Sequence, residues 1–385
     1  MKKVGYWMTE KKLKKLDFHS IFSAMCRAKG IELVKIDLLQ SLESQGPFSA
    51  IIHKLTDVLS FAADGDKKSQ EMIDNLTKYT KDHPTVPIVD PIDRVCKLMD
   101  RNASYLLFQN SFQNSSGTLH CQHDCLCVSC HKKVRLDGSV ECCTGTLHVK
   151  DFCKASKAHG SIKSHEMAIV FNDEGLKDIE PPCVAQTFIN HNAQMFKTFI
   201  INDDFVVVKR PSIKNFVHIE PDQKTIFFHS HDVSKPHSSS FLNELDKIDQ
   251  IREPVLPSNE ILEDLVAAVT RSLELSLFGF DVIVENDTGM HYVIDINAFP
   301  GYDGVPQFYE KLLEYVQRII SAPDSNSVGA NHLMEKNNRT KADESPNHTL
   351  KDGWRKGRSR KRPFPADLDG VITNGNSQPS KCLAK

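Results

Sequence analysis

The chain has 385 residues, 40% apolar and 25% charged, the composition of an ordinary folded protein with room for two or three packed units. A formal net charge of −2 gives no bulk attraction to polyanions, so nucleic acid is not an expected partner and phosphate must be held by local Lys and Arg clusters. No run is long and apolar enough to span a membrane, and Met1-Lys-Lys-Val-Gly-Tyr-Trp7 lacks a secretory apolar region, so a cytoplasmic monomer without a membrane partner is expected.

Over the first hundred residues, strand-like runs at Val4–Met8, Ile31–Leu38, Ala50–Leu55 and Val86–Val89 alternate with helical patterns near Ser20–Lys29 and Lys67–Asp82. That alternation predicts a parallel α/β sheet. Asp90-Pro91 predicts a further helix reaching Leu107, with Asp90 as its N-cap. Residues 102–152 show no sustained period, and seven of the eleven cysteines lie between Cys121 and Cys153.

From Phe171 the pattern changes to strands joined by turns: Val184–Ile189, Phe196–Ile201 and Phe205–Arg210, with Asn202-Asp203-Asp204 as a hairpin connection. Ser258–Leu275 predicts an amphipathic helix capped by Ser258, and a last helix is expected near Gln307–Ile320. Beyond Ser321 the apolar periodicity stops, and residues 322–385 read as a disordered tail.

The chemistry concentrates in Ser276-Leu-Phe-Gly-Phe-Asp281-Val-Ile-Val-Glu285 and His291-Tyr-Val-Ile-Asp295-Ile-Asn297-Ala-Phe-Pro-Gly301, two buried strands joined at Asn286-Asp287-Thr288-Gly289. The first strand delivers one carboxylate. The second delivers Asp295 and Asn297 two residues apart and so on one face. Hard oxygen donors on a rigid hairpin suit Mg²⁺ holding a nucleotide triphosphate; strand acids facing water are the plainer alternative, disfavoured by apolar neighbours on both sides.

Asp281, Asp295 and Asn297 in this arrangement resemble the metal site of ATP-grasp kinases. The spelling Asp295-Ile-Asn-Ala-Phe-Pro-Gly-Tyr302 is similar to the inositol 1,3,4-trisphosphate 5/6-kinase family. So are Val4-Gly-Tyr-Trp7, Ile51-Ile-His-Lys-Leu-Thr-Asp57, Ser164-His-Glu-Met-Ala-Ile-Val-Phe171 and Val233-Ser-Lys-Pro236, so the resemblance runs over residues 3–101 and 153–321. It implies an α/β ATP-grasp fold with an N-terminal parallel domain (1–100), a small central lobe (101–185), a C-terminal lobe with the Mg²⁺ site (186–321) and the tail. It also implies ATP and Mg²⁺, with inositol polyphosphates as acceptors.

Residue by residue, the resemblance assigns Asp281, Asp295 and Asn297 to the metal, and Arg101 and Lys154 to ATP phosphates. Gln186, Thr187, Phe188, Ile189 and Asn190 would form the adenine-reading hinge, where backbone groups do the reading. Ser212, Ser230 and Ser234 would contact nucleotide. Lys12, within Glu10-Lys11-Lys12-Leu13-Lys14-Lys15-Leu16, together with His165, Lys197, Asn297 and Gly301, would hold the inositol phosphates. His159, near the transferred group, and Lys197 would be the catalytic side chains. Taken without the resemblance, the lysines read as a solvated basic turn and the serines as turn formers.

The chain departs from the family over 102–152, which reads as unrelated residues from a shifted frame or odd exon, lacking an apolar core and so leaving Lys154 without a strand to aim it. Cys121, Cys125, Cys127, Cys130, Cys142 and Cys143, with His120, His123 and His131, alternatively suit Zn²⁺, and Cys127-Val-Ser-Cys130-His131 has a haem-attachment outline. Arg355-Lys-Gly-Arg-Ser-Arg-Lys-Arg362 reads as a nuclear signal or a solvated charge run, adding the nucleus to the expected compartments. Two functions other than a kinase share these features. One is an ATP-grasp carboxylate–amine ligase; the other is an inositol-phosphate-binding protein with an impaired small lobe.

Overall fold

A computed structural model of the protein describes residues 1–101, 103–107, 129–130, 132–134, 140–142, 151–155, 162–180, 183–250, 255–321 and 371–373. The N-terminal strands form one parallel sheet in the order Ile31–Lys35, Lys2–Trp7, Ala50–His53, Ile88–Val89. All four residues of Ala50–His53 are buried, as expected of a central parallel strand covered on both faces. Helices Glu10–Leu16 and Thr56–Ala63 follow the strands Lys2–Trp7 and Ala50–His53 directly, which brings Lys12 and Lys54 to the C-terminal end of the sheet. The helix Lys67–Asp82 starts on Asp66, whose carboxylate accepts the Ser69 N–H at 2.9 Å.

The helix expected from Asp90 to Leu107 is broken: Ile92–Cys96 is one short helix, and Arg101 with residues 103–107 form another. Asp90 is not its cap. Its carboxylate instead accepts the N–H groups of Ser276 at 2.6 Å and Leu277 at 3.0 Å, tying the parallel sheet to the strand that carries Asp281. The Asp90 carbonyl meets His53 Nε2 at 2.6 Å.

Two antiparallel sheets follow. The smaller runs Ile226–His229, Glu166–Val170, Asp151–Ala155, Cys183–Thr187, Ser129–Cys130. The larger runs His291–Ala298, Leu277–Val284, Gln194–Ile201, Asp204–Pro211, Val371–Thr373. The Cys-rich stretch contributes an edge strand, Ser129–Cys130, and a small hairpin, Lys132–Val134 with Val140–Cys142. Val371–Thr373, inside the tail expected to be disordered, pairs with Val206, Val207 and Val208. The side chains proposed to bind zinc or haem lie outside the described residues, as does the rest of the tail.

Two apolar clusters cross from the parallel sheet into the larger antiparallel one. One joins Leu55, Val58, Leu59, Val95 and Leu98 to Phe196, Ile200, Phe278 and Phe280. The other joins Tyr6, Met8, Phe18 and Phe22 to Phe199, Ile201, Leu277, Leu312 and Val316. Each fully buried Phe or Leu contributes about 1.5–3 kcal/mol, so these two units behave as one block. The helix Asn259–Leu273 adds Leu262, Leu265, Val269 and Leu273 at helical spacing. Ser258 occupies its N-cap position without a side-chain bond, while the Ser258 N–H donates to His291 Nε2 at 3.1 Å. The smaller sheet rests on a smaller cluster of Ile169, Phe171, Phe188, Ile213, Val233 and Leu242. Among the described residues no helix is long and apolar enough to cross a membrane.

Candidate active site

Strand Leu277–Val284 is buried along its whole length, with a partner strand on each side. Asp281 sits opposite Asp295 on one neighbour and opposite Lys197 on the other, and the register shifts immediately after Asp281. Lys197 Nζ donates to both Asp281 oxygens, at 2.7 and 2.9 Å. Asp295 and Asn297 do share a face: Asn297 Nδ2 donates to Asp295 Oδ2 at 2.8 Å. The turn closes with Gly289 at φ 71° and with the Glu285 N–H on the Met290 carbonyl at 2.9 Å.

The two carboxyls are driven apart. Burial raises Asp281 above the usual carboxylate range against the pull of Lys197, with Asp295 adding to the rise. Burial opposes ionisation of Asp295 too, but Lys154, Arg101 and Lys197 outweigh it and hold that carboxyl below the usual range.

Lys154 approaches from the smaller sheet, and Arg101 from the short helix it forms with residues 103–107. Lys154 lies on Asp151–Ala155, which is paired on both sides, so the expectation that it lacks an aiming strand is corrected. Its Nζ donates to the Ile294 carbonyl at 2.7 Å, and the Tyr105 hydroxyl donates to the same carbonyl at 2.8 Å. Arg101 is buried, with Nη2 on the Ser164 carbonyl at 3.2 Å and Nε 3.8 Å from Asp295 Oδ1.

A basic wall lies beside this centre. Lys54 is 8% exposed, hydrogen-bonds the Phe299 carbonyl and stands 5.4 Å over the Phe299 ring. Burial, then Lys12, pushes the Lys54 ammonium down to about 7, against Asp57. Lys15 Nζ meets Asp303 Oδ2 at 2.7 Å, and a Cβ on Gly301 would stand 3.1 and 3.0 Å from those two atoms, so the glycine leaves them room. His165 ends the turn Ile162–His165, with Nδ1 3.3 Å from Ser230 Oγ. Burial lowers its pKa, as do His229, Arg101 and Lys12, while Asp295 opposes them.

The expected hinge is a second group. Gln186 and Thr187 end the strand Cys183–Thr187, and Phe188 enters the small-lobe core. The Ile189 carbonyl is 2.6 Å from His191 Nδ1, whose Nε2 is 2.7 Å from Ser212 Oγ. Burial pushes His191 down to about 4, so it serves as a neutral clamp. Asn190 accepts the Phe216 N–H on its side chain at 3.0 Å and the Asn286 N–H on its backbone at 3.1 Å. Ser234 Oγ donates to the Ser230 carbonyl at 2.8 Å.

The structure therefore gathers Asp281, Asp295, Asn297, Lys197, Arg101 and Lys154 at one centre. His165 and Ser230 lie beside it, and Gln186–Asn190 with Ser212 form a separate group. His159 lies outside the described residues. Sequence reasoning did not assign Lys54, Lys15 or Tyr105. Lys54 carried a signal, since it follows a buried parallel strand at the end where ligands gather; Tyr105 carried none.

Two facing antiparallel sheets with carboxylates on a terminal hairpin define an ATP-grasp enzyme. The fold is shared with a solved Chryseobacterium gregarium RiPP-associated ATP-grasp ligase, at 11% identity and a TM-score of 0.50, covering 85% of this chain and 100% of that one. The sequence pattern described as "Inositol 1,3,4-trisphosphate 5/6-kinase ATP-grasp domain" matches residues 122–318, and the corresponding "pre-ATP-grasp domain" matches residues 3–95. The chain belongs to this family of ATP-dependent inositol-polyphosphate kinases. Among its relatives, inositol-tetrakisphosphate 1-kinase of Xenopus laevis is 42% identical over 85% of this chain and 81% of its own length. The enzyme of that name from Danio rerio is 42% identical over 86% and 82%. The matched range starts inside the Cys-rich segment, which corrects the expectation that residues from 122 onward are unrelated to the family.

Proposed function

We propose that this kinase transfers the γ-phosphate of Mg–ATP to a hydroxyl of inositol 1,3,4-trisphosphate or inositol 3,4,5,6-tetrakisphosphate. The observation that carries the reading is the carboxylate pair, Asp281 buried and Asp295 partly exposed, with the Asn297 amide on one hairpin, met by Lys154 and Arg101 and flanked by Lys12, Lys54 and His165. Asp281, Asp295 and Asn297 fit a hard cation, because each offers oxygen and Asp281 already attracts the Lys197 ammonium. Among the described residues no three His, Cys, Asp or Glu side chains form a metal cluster, so phosphate and water would complete the shell. When bound, Mg²⁺ supplies charge neutralisation at the triphosphate.

The chain's own residues do the rest. Lys154 and Arg101 hold the ATP phosphates, and the hinge Gln186–Asn190 with Ser212, Ser230 and Ser234 holds the nucleoside. Lys12, Lys54, His165, Lys197, Asn297 and Gly301 hold the acceptor, with His159 assigned beside the transferred group. Transfer then rests on positioning and charge, with no covalent enzyme intermediate. The protein acts as a cytoplasmic monomer, its basic tail run serving for nuclear entry. Product analysis with labelled ATP and each inositol phosphate tests the reading: label on either acceptor is expected. Transfer to neither, or phosphate release that depends on an amine and not on inositol phosphate, overturns it in favour of ligase chemistry.

A further inference from the structure

We propose that His229 and His231, with His165, form an additional anion subsite that takes a phosphate monoester of the acceptor and so favours the more highly phosphorylated inositol. The proposal rests on the kinase reading above and adds to its His165 two residues that reading does not use, His229 and His231.

The three rings come together for simple reasons. His229 ends the edge strand Ile226–His229 and pairs in register with Glu166, next to His165. The helix Ser230–Ser234 begins immediately after it and carries His231 back over the same spot. Ring centroids lie 4.0 Å apart for His165–His231, 5.0 Å for His229–His231 and 5.4 Å for His165–His229. Their Nδ1 atoms are partly engaged: His165 Nδ1 faces Ser230 Oγ at 3.3 Å, and His229 Nδ1 accepts the His231 N–H at 3.4 Å. Among the described residues none of the three Nε2 atoms has a hydrogen-bond partner, so three potential donors remain.

The charges around them point to an anion. His165 feels His229, Arg101 and Lys12, opposed by Asp295. His231 feels His165, Lys235, His229 and Lys15. Glu166, across from His229, and Asp232, beside His231, are the other acids on these elements. Burial first, then His165, Lys235, His229 and Lys15, pushes His231 down to about 4, so that ring is neutral at pH 7 when no anion is bound, and burial lowers His165 as well. A phosphate dianion among them reverses the repulsion and favours imidazolium, so binding takes up protons. A cluster that merely packs would exchange none.

Calorimetric titration of the full chain at pH 7, in buffers of different ionisation enthalpy, reads that exchange. The ligands are inositol 3,4,5,6-tetrakisphosphate, inositol 1,3,4-trisphosphate and ATP. The wild type is expected to take up protons with the tetrakisphosphate. His229→Asn and His231→Asn should each abolish part of that uptake and weaken tetrakisphosphate binding roughly tenfold, with a smaller loss for the trisphosphate and unchanged ATP affinity. Unchanged tetrakisphosphate affinity and uptake in both variants overturn the subsite while leaving the kinase intact, and a wild type that binds without proton uptake overturns it even if the variants do not fold. A wild type that binds neither inositol phosphate overturns the acceptor class itself and the subsite with it.

Discussion

Asp281, Asp295 and Asn297 stand on adjacent strands of one hairpin whose first strand is entirely buried. Lys12, Lys54 and His165, on the basic wall beside it, come from three separate segments, two following strands of the parallel sheet and one preceding a strand of the smaller sheet. The hairpin's geometry is fixed by neighbouring hydrogen bonds and survives small movements of the lobes. The basic wall exists only when the parallel sheet, the larger sheet and the smaller lobe stand together. Chemistry at the hairpin should therefore fail by loss of a charge, and chemistry at the wall by loss of an alignment.

The largest effect should come from the hairpin. Asp295→Ala is expected to lower kcat by about 10³-fold or more, with inositol-phosphate affinity retained, as rapid-quench kinetics and direct binding would show. Asp281→Ala should add a stability loss of about 1–3 kcal/mol, read as a lowered Tm, because Lys197 is left beside a buried site without its partner. Equal affinity losses for acceptor and ATP in Asp295→Ala would blur the division drawn here.

Lys154→Met tests the bridge between the regions. It should cost about 10²-fold in kcat/KM for ATP, because a buried cation bonded to the Ile294 carbonyl is removed beside Asp295. The companion Tyr105→Phe should cost only a few-fold, since it removes one hydroxyl from the same carbonyl.

Asp90 tests the alignment of the wall with the hairpin through pH. Burial raises its carboxyl from 3.8 to about 6, although the Ser276 and Leu277 N–H groups oppose the rise. A folded-state value above the unfolded one gives stability that is full below about pH 4 and is lost as pH rises through 6. The Tm or denaturant gap between wild type and Asp90→Asn should therefore be widest near pH 4 and narrow by about 2–3 kcal/mol toward pH 7. A gap independent of pH would show that Asp90 does not titrate in the staple.

The smallest effect belongs to the wall's surface. Lys15→Ala breaks a half-exposed pair with Asp303 and should change stability by about 0–1 kcal/mol, with a few-fold rise in acceptor KM that shrinks as salt increases.

How much was legible in the sequence follows the same division. That Asp295 and Asn297 share a face was readable because strand alternation fixes it, and the Asn297–Asp295 bond bears that out. The helix Lys67–Asp82 was readable for the same local reason. Lys54 was quoted within its motif yet unassigned, because its role depends on Lys12 and Phe299 arriving from elsewhere in the chain. Asp90 looked like a helix cap, and its partners, Ser276 and Leu277, lie nearly two hundred residues away, beyond any local pattern. The Cys-rich stretch offered no sustained period to read, and its described strands, such as Lys132–Val134, are too short to leave one.

The division of labour is tested most directly by a double dissociation. Calorimetric titration of Asp295→Ala and Lys54→Met, each with Mg–ATP and with inositol 3,4,5,6-tetrakisphosphate, gives four affinities to set against the wild type. The account predicts that Asp295→Ala loses Mg–ATP affinity and keeps the inositol phosphate, while Lys54→Met keeps Mg–ATP and loses the inositol phosphate by about tenfold or more. Loss of the same ligand in both variants, or of neither, would contradict it.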